Sequence, residues 1–284
     1  MTMRLVPSVL GEAPAGTPPA GLLWAYAGLF GAPAAYRLVE ADRAVAWVCG
    51  TAAREGGRLE ALPERFYGLL PEPGEIVDLD GLRATLRATG ASAEIVCAPR
   101  GPYRAADLGA YHRLDTFLVS GVGADELFGR LARVGRQGVR RAERAGVTVR
   151  GLELGAAVEE YHALYARKCA RHGAAARPRA FFDRLAVAFG GDAQVFLADH
   201  QGAPVAAALV VRVGAYAIFA DGSSREDAWD LCPNNFVVWH AGRACLRAGA
   251  RLLDYGLSSV DVEGDARFKT HLGGTRTPVY VVAA

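Results

Sequence analysis

Lysine is nearly absent from this sequence: 30 of its 32 basic residues are arginine, and only Lys168 and Lys269 carry ammonium groups. In a chain so rich in Arg, Ala and Gly, a GC-biased coding background explains the arginines. The two lysines are then either chance survivors or positions that need a compact point charge with a tunable pKa. Cysteine is scarce and unpatterned. Cys49, Cys97, Cys169, Cys232 and Cys245 are odd in number, widely spaced and without a C-x-x-C. That excludes a disulfide framework and a zinc ribbon and leaves buried free thiols. Cys169 and His172 have C-x-x-H spacing but no second ligand pair nearby, so no metal is expected. No apolar run reaches the roughly 18 residues of a membrane span, and MTMRLVPSVLGEAPAG lacks the basic start and apolar core of a secretory leader. A cytoplasmic protein without a membrane span is expected. Local signatures of Ser/His/Asp or Cys/His nucleophiles are missing as well.

What the chain does have is a concentrated patch of positive charge. Its 284 residues, 51% hydrophobic and 22% charged, suit one large soluble domain or two small ones. The net charge of +2 conceals an asymmetry: residues 129–150 hold seven arginines against Glu143 alone, while residues 1–128 hold 11 arginines against 15 carboxylates. At about 100° per residue, Arg130, Arg133, Arg136, Arg140, Arg141 and Arg144 fall within roughly a 140° arc, with Leu131, Val134 and Ala142 assigned to the packing side. Gly146 stops this helix, Asp125 and Glu126 supply its acidic first-turn residues, and Val147-Thr148-Val149 starts a β-branched run. Such a stripe is either a solvated helix face or a surface for an anionic partner such as RNA, nucleotide or phosphate.

Along the chain, 7–21 is a Pro/Gly/Ala-rich lead-in, 22–30 a short helix, and 36–39 with 44–49 an antiparallel pair joined by a tight turn. Residues 59–67 continue in extended form into a Gly/Pro-rich loop, 68–74. A helix (80–90), a strand (93–98) and another strand (116–120) precede the arginine helix. After it come helices at 156–172 and 181–189, and strands at 193–199, 205–213 and 215–221. A helix (235–248), a strand (252–256), a short helix (264–271) and a closing strand (279–282) complete the chain. Both halves run helix, strands, helix, strand, an α/β arrangement of two similar halves meeting at 129–150.

RRAERAGVTVR (140–150), YHALYARKCARHG (161–173), RPRAFFDRL (177–185), AIFADGSSRE (217–226), LCPNNFVVWHAGRACLRAGARLLDYG (231–256) and ARFKTHLGG (266–274) occur in the order and at about the spacing of Fem-type (FemABX) peptidyltransferases. The chain resembles that family and the related BioF2-like GNAT acyltransferases over most of its length, most strongly from Arg140 onward. The resemblance implies an α/β (α+β) fold of two tandem GNAT-like domains with a cleft between them, placed at 1–149 and 150–276, with about 277–284 returning to the first. It also implies transfer of an aminoacyl group from an aminoacyl-tRNA co-substrate to an amine acceptor, with no other cofactor. The acceptor would be a peptidoglycan precursor or, in antibiotic biosynthesis, a small-molecule or peptide amine.

The same resemblance assigns roles. Phe268-Lys269 matches a family Phe-Lys pair associated with the tRNA 3′ end and the transition state. Ester aminolysis builds negative charge on a carbonyl oxygen, which a fixed cation stabilises. Arg177 matches an arginine that contacts acceptor phosphate. Glu72 falls near an acidic residue proposed as base for the acceptor amine, with Asp78 and Asp80 as alternatives. Asp221 and Ser223 belong to a small-residue turn expected to line the substrate site, and Asn234 or Asn235 to cap the next helix. Arg133, Arg136, Arg140, Arg141 and Arg144 are the expected tRNA-binding set. An acyl-CoA donor is the alternative, and a catalytically dead binding module of the same fold is a third reading. CoA-using GNATs place pyrophosphate on a [QR]-x-x-G-x-[GA] loop opening a helix, and the sequence has no strict match to it.

Overall fold

The computed structural model describes residues 3–8, 20–30, 32–52, 59–60, 67–89 and 94–283. The expected lead-in at 7–21, most of the extended stretch 59–67 and the helix end at Gly90 lie largely outside the described residues. The chain divides into two units: Met1–Thr116 with Leu257–Asp261 and Thr277–Ala284, and Phe117–Gly256 with Val262–Arg276. The division thus falls at Thr116/Phe117, whereas the sequence places it at 149/150, and the arginine helix belongs wholly to the second unit.

In the first unit, β1 (Met3–Ser8), α1 (Ala20–Ala27), β2 (Pro33–Glu40), β3 (Arg43–Ala52), β4 (Leu59–Glu60), β5 (Tyr67–Pro71), β6 (Val77–Asp78), α2 (Leu79–Ala88), β7 (Glu94–Cys97) and β8 (Tyr103–Arg104) precede β9 (His112–Ser120), which runs across the division. The tight turn between β2 and β3 is Ala41-Asp42, both at positive φ, as a two-residue hairpin demands. Helix α2 starts where the Asp78 side chain accepts from the backbone N–H groups of Asp80 and Gly81. It buries Leu79, Leu82 and Leu86, on one face by their spacing, each contributing about 1.5–3 kcal/mol. The expected loop at 68–74 is instead largely β5. Gly68, Leu69 and Leu70 are buried there, with β5 between β3 and β7, and glycine suits residue 68, where a Cβ would sit 3.0 Å from the Cys49 carbonyl.

The second unit continues with α3 (Leu127–Arg130), α4 (Arg133–Arg144), β10 (Thr148–Glu153), α5 (Leu154–Arg171), α6 (Arg179–Phe189), β11 (Ala193–His200), β12 (Ala203–Val213), β13 (Tyr216–Ser224), α7 (Pro233–Arg247) and β14 (Leu252–Asp254). The first unit then takes β15 (Ser258–Ser259), the second α8 (Glu263–His271), and β16 (Thr275–Ala283) ends in the first, antiparallel to β7. The second unit's sheet runs β9-β14-β13-β12-β11-β10, antiparallel except where β13 and β14 pair in parallel over Tyr216–Ile218 and Leu252–Asp254. On β13 the register against β12 shifts, so that Leu209 faces Asp221 while Val210 faces Phe219.

The arginine stretch is two helices. The chain breaks at Leu131-Ala132, and the packing face of α4 is Gly135, Gly138, Val139 and Ala142. Val134, assigned to that face, is 55% exposed: it stands only about 40° from Arg130 on the wheel. The glycines have a reason. A Cβ on residue 135 would overlap the His271 carbonyl at the end of α8, and one on residue 138 would lie 2.8 Å from the Asn235 side chain on α7. Ala132 N–H also donates to His271 O at 3.0 Å. Gly135→Ala is therefore expected to destabilise the protein by about 1–3 kcal/mol in urea unfolding. Gly155→Ala, on α5 where the nearest atom is 3.8 Å away, is expected to be neutral or to stabilise by up to about 1 kcal/mol. Equal effects of the two would remove the close-packing account.

Candidate active site

All the expected site residues except Glu72 lie in the second unit. Lys269 sits on the last turn of α8. Its Nζ donates to Gly256 O at 3.2 Å, pairs with Asp265 at 2.8 Å and lies 5.8 Å from the Phe117 ring centroid. Gly256 follows β14 at φ +78, where a Cβ would come within 2.9 Å of Phe219 O. Lys269 is thus pinned beside the point where β13 and β14 cease to pair, with only 12% of its side chain exposed. Phe268 packs half-buried against the unit's core, which anchors α8 and so the lysine.

The second lysine occupies a different place along the same strand. Asp221, expected in a turn, lies within β13 and accepts three donors: Lys168 and Tyr161 from α5, and Ser223. Lys168 Nζ also donates to Gly222 O at 3.2 Å and stands 5.4 Å from the Tyr165 ring. Burial, and then the Asp221 charge, raise the Tyr161 hydroxyl far above its ordinary pKa, so it remains a donor. Asp221 and Ser223 therefore hold α5 to β13 and set the Lys168 ammonium.

Arg177 lies 4.2 Å over the Phe181 ring, and its carbonyl is 2.9 Å from His162 Nε2. Asn234 and Asn235 do not cap α7. Its N-cap is Cys232, in the left-handed conformation, while Asn234 donates to Ser224 Oγ and Asn235 packs on Gly138. In the first unit, Glu72 Oε1 accepts from Trp47 Nε1 at 2.7 Å, and Asp78 caps α2. Asp80 accepts from Tyr111 and from Ala106 N–H; the Tyr111 hydroxyl, the larger influence, lowers its pKa.

The arginines are not equivalent. Arg136 is half-buried and donates to the Leu131 and Gly129 carbonyls freed by the break between α3 and α4. Arg140 stacks 5.4 Å over Phe128, which meets Trp239 of α7 edge-on. Arg133, Arg141 and Arg144 are exposed and have no ion-pair partner among the described residues. Asp125, expected in the first turn of the arginine helix, lies before α3 and binds Arg243 and Arg247 of α7.

One feature of the unit is not marked by any sequence motif, the 3₁₀ segment Glu226–Leu231 between β13 and α7. Its Trp229 is 50% exposed. An indole set among carboxylates in EDAWDL was the available signal. Hydrogen bonds from Arg171 and Arg225 hold Glu226 and Asp227 below the ordinary carboxylate range, so both stay ionised and those two arginines are occupied by them. Pro233 at the first helical position removes a backbone donor as well.

Residues 130–270 match the acetyltransferase (GNAT) domain family. The chain has the GNAT fold. Among solved structures it is similar to FemX, at 15% identity over 92% of this chain and 91% of that one, with a TM-score of 0.60. It is also similar to the tandem GNAT protein of the clavulanic acid biosynthesis pathway, at 13% identity over 99% and 98% and a TM-score of 0.54. L-PGS from Bacillus licheniformis aligns at 10% identity over 91% and 86%, with a TM-score of 0.51. No curated protein matches the chain by sequence. The Fem-type resemblance read from the motifs holds in the fold, and no described helix is long and apolar enough to cross a membrane.

Two outcomes follow from this geometry. Asp221→Asn leaves Lys168 without its ion pair and should cost about 2–4 kcal/mol in urea unfolding, whereas Ser223→Ala, losing one donor, should cost about 1 kcal/mol; an unchanged midpoint for Asp221→Asn would contradict the network. Burial, and then Arg243, lower the pKa of His240 beside Trp239. Its neutral form is favoured on folding, so its contribution is intact above the unfolded value of about 6.5 and is lost as pH falls toward the folded value. His240→Asn should therefore lose less stability than the wild type between neutral and acidic pH; parallel profiles would refute this.

Proposed function

We propose that this protein is a cytoplasmic aminoacyltransferase that moves an amino acid from aminoacyl-tRNA to an amine, forming an amide. The acceptor is a peptidoglycan precursor or a specialised peptide metabolite of antibiotic biosynthesis. The observation that carries the proposal is the attachment of the arginine helix α4, with Arg133, Arg141 and Arg144 exposed and without an ion-pair partner among the described residues, to the end of α8, the helix that carries Lys269. Phosphate neutralisation dominates affinity for nucleic acid, and a basic helix fixed to the helix of a site lysine suits a polyanionic donor. The similarity to FemX agrees with this reading.

In the reaction the acceptor nitrogen attacks the ester carbonyl. The C–N bond forms, the oxygen takes negative charge, and collapse expels the ribose hydroxyl. The Lys269 ammonium stabilises the oxyanion, and Phe268 holds its helix. The acceptor ammonium must first lose a proton, the role given to Glu72, whose Oε1 is held by Trp47 while Oε2 accepts the proton. Arg177 offers a guanidinium to acceptor phosphate, and Asp221 with Ser223 shapes the substrate site through Lys168. An acyl-CoA donor is the second reading, favoured by the GNAT family match. The approach to α7 gives it little support: Arg171 and Arg225 are paired with Glu226 and Asp227, and Pro233 removes a backbone donor where a pyrophosphate would sit.

The test is incubation with labelled aminoacyl-tRNAs and candidate amines, with ribonuclease as control. Ribonuclease-sensitive amide formation is expected, and turnover that survives ribonuclease but needs acyl-CoA would overturn the proposal. Reversing Arg133, Arg141 and Arg144 to Glu should weaken tRNA binding and lower its salt slope by about two to three; an unaltered slope would show that the stripe is only solvated.

A further inference from the structure

Trp229 is half-exposed, yet its indole is fixed. Its Nε1 donates to Ser224 Oγ at 3.0 Å, and Ser224 Oγ also accepts from Asn234. The Arg171 guanidinium lies 5.1 Å from the ring centroid, and is itself held by Glu226 at 2.9 Å and by Ser224 O at 3.4 Å. A large apolar ring held in this way on a polar 3₁₀ segment adds little to the core. It forms a pre-organised platform, backed by a cation and with half its surface open.

The surroundings select what can sit on it. Arg171 and Arg225 are taken up by Glu226 and Asp227, so the segment offers phosphate no uncommitted guanidinium from either, and the group that fits the indole is uncharged, planar and able to donate to a carboxylate. Adenine and cytosine have an exocyclic amino group of that kind and uracil does not. We propose that Trp229, backed by Arg171, is a stacking ledge for an amino-bearing nucleobase, with the Glu226 carboxylate within reach of the exocyclic amine. This rests on the reading that the donor carries a nucleotide, and both aminoacyl-tRNA and acyl-CoA end in adenosine.

The test titrates the full chain, its W229F and W229A variants, and R171A, with AMP, UMP and coenzyme A, and with uncharged tRNA at fixed salt. Thermal unfolding confirms that each variant is folded. AMP should bind more tightly than UMP. W229A should weaken AMP binding by roughly five- to a hundred-fold, as expected for one stacked base, while W229F largely retains it. An AMP affinity unchanged in W229A, or no AMP binding by the wild type at millimolar ligand, overturns the ledge. If that happens while tRNA still binds through Arg133, Arg141 and Arg144, the ledge falls and the proposed function stands. Where AMP binding is lost in W229A, a parallel loss on coenzyme A but not on tRNA keeps the ledge and counts against the tRNA donor; a parallel loss on tRNA but not on coenzyme A supports both.

Discussion

The second unit depends on one backbone group, the carbonyl of His271. It accepts from Ala132 N–H and rests against the Cα of Gly135, so the start of α4 and the end of α8 meet with no side chain between them. Larger residues on α4 would push the helices apart. Because Lys269 lies two residues before His271, the same contact fixes the site lysine against the arginine helix. One close approach therefore sets both the electrostatic face and the chemical group of the unit.

The strand β13 organises the rest. Its pairing with β14 lasts three residues and its register against β12 slips near Asp221, leaving the stretch from Phe219 to Gly222 between two lysines. Lys269 reaches it through Gly256, and Lys168 through Asp221 and Gly222 O. At about 3.3 Å per residue, those anchor points are on the order of 10 Å apart. In a chain with thirty arginines, both remaining ammonium groups stand beside this one stretch and each is paired with an aspartate. An ammonium has three N–H donors in a small volume, so it can satisfy a carboxylate and a carbonyl together where a planar guanidinium would not fit.

Much of the fold was legible because it follows from period and punctuation. The β2–β3 hairpin, α5, α6 and the strands β11 to β13 declare themselves by alternation, helical spacing and glycine at turns. The buried face of α4 did not, because Gly135 and Gly138 make up half of it and leave no apolar period. Strand β5 was hidden for a related reason: Gly68 and Pro71 signal a loop unless the neighbouring Cys49 carbonyl is known. At the site, the sequence marked the residues and missed their employment. Arg136 stands in the basic stripe but satisfies broken-helix carbonyls, Asp221 is occupied by three donors, and Asn235 packs where it was expected to cap. The Asp221 bonds to α5 and the Asn235 contact with Gly138 join distant parts of the chain, and the Arg136 bonds depend on a helix break that residue periodicity does not mark.

The central claim is that the arginine face binds the donor while Lys269 acts on its ester, the two being fixed together but chemically separate. The most direct measurement is the single-turnover rate of amide formation as a function of aminoacyl-tRNA concentration, for the wild type, Lys269→Ala and the Arg133/Arg141/Arg144 reversal. The account predicts that the lysine variant lowers the rate at saturation with little change in half-saturation. The arginine variant should shift half-saturation upward and reach the wild-type plateau. A lysine variant that reaches the wild-type plateau, or an arginine variant with unchanged half-saturation, would contradict it.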